Sequence, residues 1–229
     1  IDTKAKEGFL KYVFGNAKSE YQKKILFEDN LIDIQKESPE IQEKILNQFL
    51  IGCIGNSFFF DSIKTVFMSP KIDETTKQNF VRSAYKLADA RDMYRFLFVD
   101  NFIDIQNEIP SAQIYILQQY LLKLEIVSFS NYEKIKFIYH SEKISDQSKD
   151  VFIKYAYEIA QPEYQYKILF EDNLIDIHKE TSESQKKIMQ KYILKLGKID
   201  YQHYYNEISF IAQTDKILDL IKTFFLFLF

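Results

Sequence analysis

The sequence predicts an all-α fold, a right-handed α-solenoid of about six two-helix units of roughly 36 residues, grouped as three tandem repeats of roughly 72. Three observations lead there: a word that recurs at a fixed long period, helix-start signals at each half period, and a composition poor in turn-makers. The word is Phe27-Glu28-Asp29-Asn30-Leu31-Ile32-Asp33-Ile34. It returns as Phe98-Val99-Asp100-Asn101-Phe102-Ile103-Asp104-Ile105 and, unchanged, as Phe170-Glu171-Asp172-Asn173-Leu174-Ile175-Asp176-Ile177. The copies begin at 27, 98 and 170, offsets of 71 and 72 residues. Their flanks agree as well, since Gln22-Lys23-Lys24-Ile25-Leu26 parallels Gln165-Tyr166-Lys167-Ile168-Leu169. Only 5 Gly and 4 Pro punctuate 229 residues, too few for a β fold that turns every 8–12 residues.

Taken in order, the units run roughly 2–37, 38–73, 74–109, 110–145, 146–181 and 182–218, and 219–229 resembles the first turns of another. The whole chain, 1–229, reads as one domain of three repeats, about 1–73, 74–145 and 146–218. Ser38-Pro39-Glu40 offers a capping hydroxyl before a first-turn proline and an acid. Ser19-Glu20-Tyr21-Gln22 and Ser182-Glu183-Ser184-Gln185 have the spacing of a capping box, and Gln161-Pro162-Glu163 puts proline at another start. Apolar stripes at helical spacing follow, Phe80, Ala84 and Leu87 in one helix and Phe152, Tyr155, Ala156 and Ile159 in another. Asn30, Asn101 and Asn173 fit the left-handed position that ends a helix, with the next Leu or Phe packing back on it. Ile32, Ile103 and Ile175 are expected in the core between units.

Composition narrows the function classes. Lys and Arg number 30 against 33 Asp and Glu, a net charge of −3 that provides no general attraction to nucleic acid or acidic membrane. With 46% hydrophobic residues the chain can bury roughly 70% of its unfolded surface, so disorder is excluded. The 16 Tyr and 21 Phe, with abundant Ile, Lys and Asn and no Trp, match the codon bias of an AT-rich genome. Cys53 is the only cysteine, so no intrachain disulfide forms; without a neighbouring base it reads as a buried structural thiol. No basic segment followed by an apolar stretch opens the chain, and the apolar end 223–229 is shorter than a bilayer span. An intracellular, cytoplasmic location is expected, and a start at Ile1 rather than Met suits a processed product or a piece of a longer chain.

No catalytic, cofactor-binding or metal constellation emerges. His140, His178 and His203 do not stand at the spacing of a helical metal site, and His178 takes the place of Gln35 and Gln106. The acidic pairs Glu28/Asp29 and Glu171/Asp172 are broken by Val99 in the middle copy and read as solvated helix ends. Neither a glycine-rich phosphate loop nor a Gly-x-Ser-x-Gly elbow is present. Lys186, Lys187, Lys191, Lys195 and Lys198 cluster, but only Arg82, Arg91 and Arg95 accompany the lysines of the chain, so bidentate phosphate recognition has few donors.

Two aromatic runs remain as partner-binding candidates. Phe58, Phe59 and Phe60 align with the polar Ser130-Asn131-Tyr132 and Gln202-His203-Tyr204. Phe224, Phe225 and Phe227, with Phe229, form an apolar C-terminal end suited to a partner or to self-association. The apolar stripe in Val81-Arg82-Ser83-Ala84-Tyr85-Lys86-Leu87-Ala88, after helix starts marked by Ser, Asp or Pro, resembles α-helical repeat proteins of the HEAT-like class. That resemblance implies a non-enzymatic scaffold or adaptor binding another protein, with nucleic-acid binding as the alternative known within the class.

Overall fold

The computed structural model describes residues 3–196. Among these the chain is helical, without strands, and its contacts divide it into two compact units, Ile1–Asp104 and Ile105–Phe229. In the first unit lie α1 (Thr3–Asn16), α2 (Ser19–Lys23), α3 (Pro39–Cys53), α4 (Phe59–Met68), α5 (Glu74–Leu87) and α6 (Ala90–Tyr94). The second holds α7 (Pro110–Leu124), α8 (Tyr132–His140), α9 (Asp146–Ile159), α10 (Pro162–Tyr166) and α11 (Ser182–Leu196). Each half-period junction expected from the sequence coincides with a helix start, at Pro39, Glu74, Pro110, Asp146 and Ser182.

Local chemistry explains the boundaries, though not always through the expected residue. Asp73 caps α5 by accepting from the Thr76 amide at 2.9 Å, and Asp89 caps α6 by accepting from Asp92 at 2.8 Å. Ser38 does not cap α3; its hydroxyl donates to the Glu40 carboxylate at 2.7 Å, and Pro39 starts the helix by its preset φ. For α11 the cap is Thr181, whose Oγ1 accepts from the Ser184 amide at 3.2 Å, one residue before the predicted Ser182. The short helices α2, α6 and α10 each widen into a π turn, over Lys24–Glu28, Arg95–Val99 and Lys167–Glu171. Asn30, Asn101 and Asn173 then leave at φ 52°, 54° and 50°, as the sequence predicts. Of the residues that follow them, Phe102 and Leu174 are buried and Leu31 is exposed.

Within each unit the long helices pack on one another. In the first unit α3 and α4 pack on α5, and in the second α7 and α8 pack on α9. The faces they cover are Phe80, Val81, Ala84, Tyr85 and Ala88, and Phe152, Ile153, Ala156, Tyr157 and Ala160. This corrects the predicted stripes: Leu87 is exposed, and Tyr155 and Ile159 are only half-buried, because the covering helices lie over the neighbouring row of positions. On α1 the matching row is covered at its C-terminal end, where Phe14 is buried like Tyr85 and Tyr157, whereas Phe9 is 64% exposed where Phe80 and Phe152 are buried.

Five buried glutamines tie consecutive elements together in a way the sequence reading missed. Gln22, Gln42, Gln113, Gln165 and Gln185 each donate to the carbonyl eight residues earlier, at 2.8–3.0 Å. Two of them, Gln22 and Gln185, close the predicted capping boxes, but their amides reach the preceding element instead of their own first turn. Gln113 does most, since its Nε2 also donates to the Lys143 carbonyl at 3.2 Å and its Oε1 accepts from the Ser145 amide at 2.9 Å. Gln113→Leu removes three hydrogen bonds to the backbone where Gln42→Leu removes two, and urea denaturation is expected to show it less stable than Gln42→Leu by about 1 kcal/mol.

Candidate functional site

The last turns of α3 and α7 and the loops that follow them carry large apolar side chains into solvent. In the first unit these are Ile51, Ile54 and Phe58, the last 65% exposed. In the second they are Leu122, Ile126 and Phe129, the last 88% exposed, and Leu194 on α11 is exposed at the position equivalent to Ile51 and Leu122. Ordinary core packing does not explain such recurrence, because the side chains that repeat here are those the fold leaves outside. Of the predicted run, Phe58 belongs to this surface, whereas Phe59 and Phe60 turn inward at the start of α4 and are buried. Phe129 was missed because the alignment with Phe58 is displaced by one residue in the loop. Phe224, Phe225, Phe227 and Phe229 lie outside the described residues, as do His203 and Lys198.

Beside the first of these loops, a cleft of about 550 Å³ lies between residues 54–57 and the corner joining α5 to α6. Phe59 and Phe60 form its apolar side, and Asp61, Asp89, Asp92, Arg91 and Arg95 its charged side. The Arg95 guanidinium lies 3.4 Å from the Phe60 ring centroid and pairs with Asp100 at 3.5 Å. Asp92 is deeply buried, and burial together with the charge of Asp89 pushes its carboxyl above the usual carboxylate range.

In the second and third copies of the repeated word one acid has a structural task. Lys64 on α4 reaches Asp100 at 3.4 Å, and Lys136 on α8 reaches Asp172 at 3.8 Å. The Tyr132 hydroxyl donates to Asp172 at 2.6 Å, and burial and this bond together hold its phenol well above the ordinary tyrosine range. Asp100 and Asp172 are thus ends of ion pairs to lysines 36 residues earlier, with Tyr132 adding a hydrogen bond at Asp172; of the acids read as solvated helix ends, Glu28, Asp29 and Glu171 are exposed as expected and Asp172, being paired, is the exception.

Other predicted positions separate from any common site. Cys53 is buried beside Ser62 and Ser19, and burial pushes its thiol up. His178 and His140 are exposed, and among the described residues no group of acids, histidines and cysteine could hold a metal. The lysine cluster is largely paired within the chain: Lys187 with Glu183 at 2.8 Å, Lys191 with Glu158, and Lys195 with the Ala160 carbonyl at 2.7 Å. No described helix is long and apolar enough to cross a membrane. No family model matches the chain, and neither a curated protein nor a solved structure matches it.

Proposed function

We propose that the chain is a HEAT-like α-helical repeat solenoid of about six two-helix units, grouped as three tandem repeats, and a non-enzymatic scaffold that binds another protein. The observation that carries this reading is the exposed apolar set Ile51, Ile54 and Phe58, returning as Leu122, Ile126 and Phe129. Exposed aromatic and aliphatic side chains of this size supply the buried centre of protein interfaces once a partner excludes water. The nucleic-acid alternative requires a cationic surface, and the pairing of Lys187, Lys191 and Lys195 within the chain weighs against it.

The test compares the tagged chain with its triple variant Phe58→Ser, Leu122→Ser, Phe129→Ser in affinity capture from lysate of the source cells, with and without nuclease. All three sites are exposed, so the variant is expected to keep its helical circular dichroism. The expected result is a stoichiometric, nuclease-resistant protein retained by the parent and lost by the variant. Equal retention by both, or recovery only without nuclease, overturns the reading.

A further inference from the structure

The loop after α7 and the loop after α3 meet the next helix corner in different ways. In the second unit the Val127 amide donates to the Ile159 carbonyl at 3.3 Å, and the Val127 carbonyl accepts from the Gln161 amide at 3.0 Å. The result is a parallel bridge between Val127 and Ala160, with the Val127 side chain fully buried. On α10, which starts after Gln161, the buried Tyr164 ring packs on Tyr132 at 5.0 Å between centroids. The chain closes this corner with its own extended residue and an aromatic ring.

Seventy-two positions earlier stand Gly55 for Val127, Asp92 for Tyr164 and Phe60 for Tyr132. Gly55 has φ 76° and open space where a Cβ would be. Among the described residues the only isolated bridge is that of Val127, so the loop at Gly55 forms none, and the 550 Å³ cleft lies there. Asp92 is 6% exposed and lines it, yet its Oδ1 has no hydrogen-bond donor. The Arg91 Nε and the Arg95 guanidinium stay at 3.8 and 4.0 Å, outside hydrogen-bond distance. A buried carboxylate oxygen without a donor is costly, and a ligand that brings one removes that cost.

We propose that the cleft between residues 54–57 and the α5–α6 corner docks an extended, basic peptide segment of a protein partner. The segment lays an aliphatic side chain where Val127 lies in the second unit and donates to Asp92 from an arginine or lysine. Main-chain pairing with an exposed edge is an established mode of peptide capture, here reduced to one bridge. Asp61, Asp89 and Asp92 against Arg91 and Arg95 leave the lining net negative, which selects a basic segment over an acidic one. The proposal rests on the protein-binding reading and narrows it to one class of partner segment.

The probe is a capped peptide, Gly-Arg-Ile-Val-Arg-Gly, titrated to millimolar concentration into the full ¹⁵N-labelled chain and followed by NMR. Its controls are the same peptide with glutamate for both arginines, the peptide N-methylated at valine, and arginine amide alone. Saturable shifts are expected at Gly55 and Ala88–Asp92, with each control weaker by at least about tenfold. Asp92→Tyr, which restores the residue of the second unit, is expected to weaken binding by a similar factor. Absence of saturable shifts, equal binding of the acidic peptide, or equal binding of arginine amide overturns the proposal on the parent chain alone, whatever the variant does. Capture of a partner that depends on Phe58, Leu122 and Phe129, together with failure of the peptide, would sink the cleft while leaving the scaffold reading standing.

Discussion

Truncating Phe96 to alanine is expected to lower stability by about 3–5 kcal/mol, the range for removing a fully buried phenylalanine. Phe96 is the centre of the ring cluster in the first unit, 5.4 Å from Phe60, 5.6 Å from Phe102 and 6.2 Å from Tyr85 between centroids. Its neighbours also touch one another, with Phe60 and Phe102 stacked at 5.5 Å. These rings come from α4, α5, the π turn after α6 and the residue after Asn101, so the void cannot close by moving one element. Urea denaturation of Phe96→Ala should show the loss, and Phe96→Leu should recover part of it by refilling volume. A midpoint unchanged in Phe96→Ala would mean that the cluster does not hold the first unit together.

Polar replacement of the repeated isoleucines should be nearly as costly. Ile32, Ile103 and Ile175 are all buried, each two residues after the left-handed asparagine that ends a π turn. Ile32→Asn, Ile103→Asn and Ile175→Asn are each expected to cost on the order of 2–5 kcal/mol, from lost burial and an amide without partners. The exposed Leu31 provides the control, because Leu31→Asn should change the denaturation midpoint little. Unaltered stability in all three isoleucine variants would place the core elsewhere.

The recurring word was enough to predict how the short helices end. A left-handed asparagine is a local requirement of the backbone, and any chain with that word meets it in the same way. The half-period starts were legible for a similar reason, since proline at a first turn acts within a few residues. Burial was less legible. Phe152, Tyr155, Ala156 and Ile159 lie on one side of α9, but the buried row includes Ile153 and Tyr157, because α7 and α8 approach from that direction. The capping-box glutamines carried a true signal that was assigned the wrong acceptor: local spacing cannot tell a helix's own amide from a carbonyl of the preceding element.

The candidate sites divide along the same line. The sequence by itself determined an all-α chain, the helix starts at the half-period junctions, the left-handed asparagines and the departure of Phe58–Phe60 from its sister segments, because these follow from periodicity and short-range sterics. Only the tertiary structure decided that Phe58 faces solvent while Phe59 and Phe60 are buried, and that Asp100 and Asp172 pair with lysines 36 residues earlier. It also decided that Val127 closes one corner while the loop at Gly55 leaves a cleft at the other. Exposure, ion pairing and closure depend on which distant side chains occupy the same space, and that is set when helices pack, after their local form is already determined.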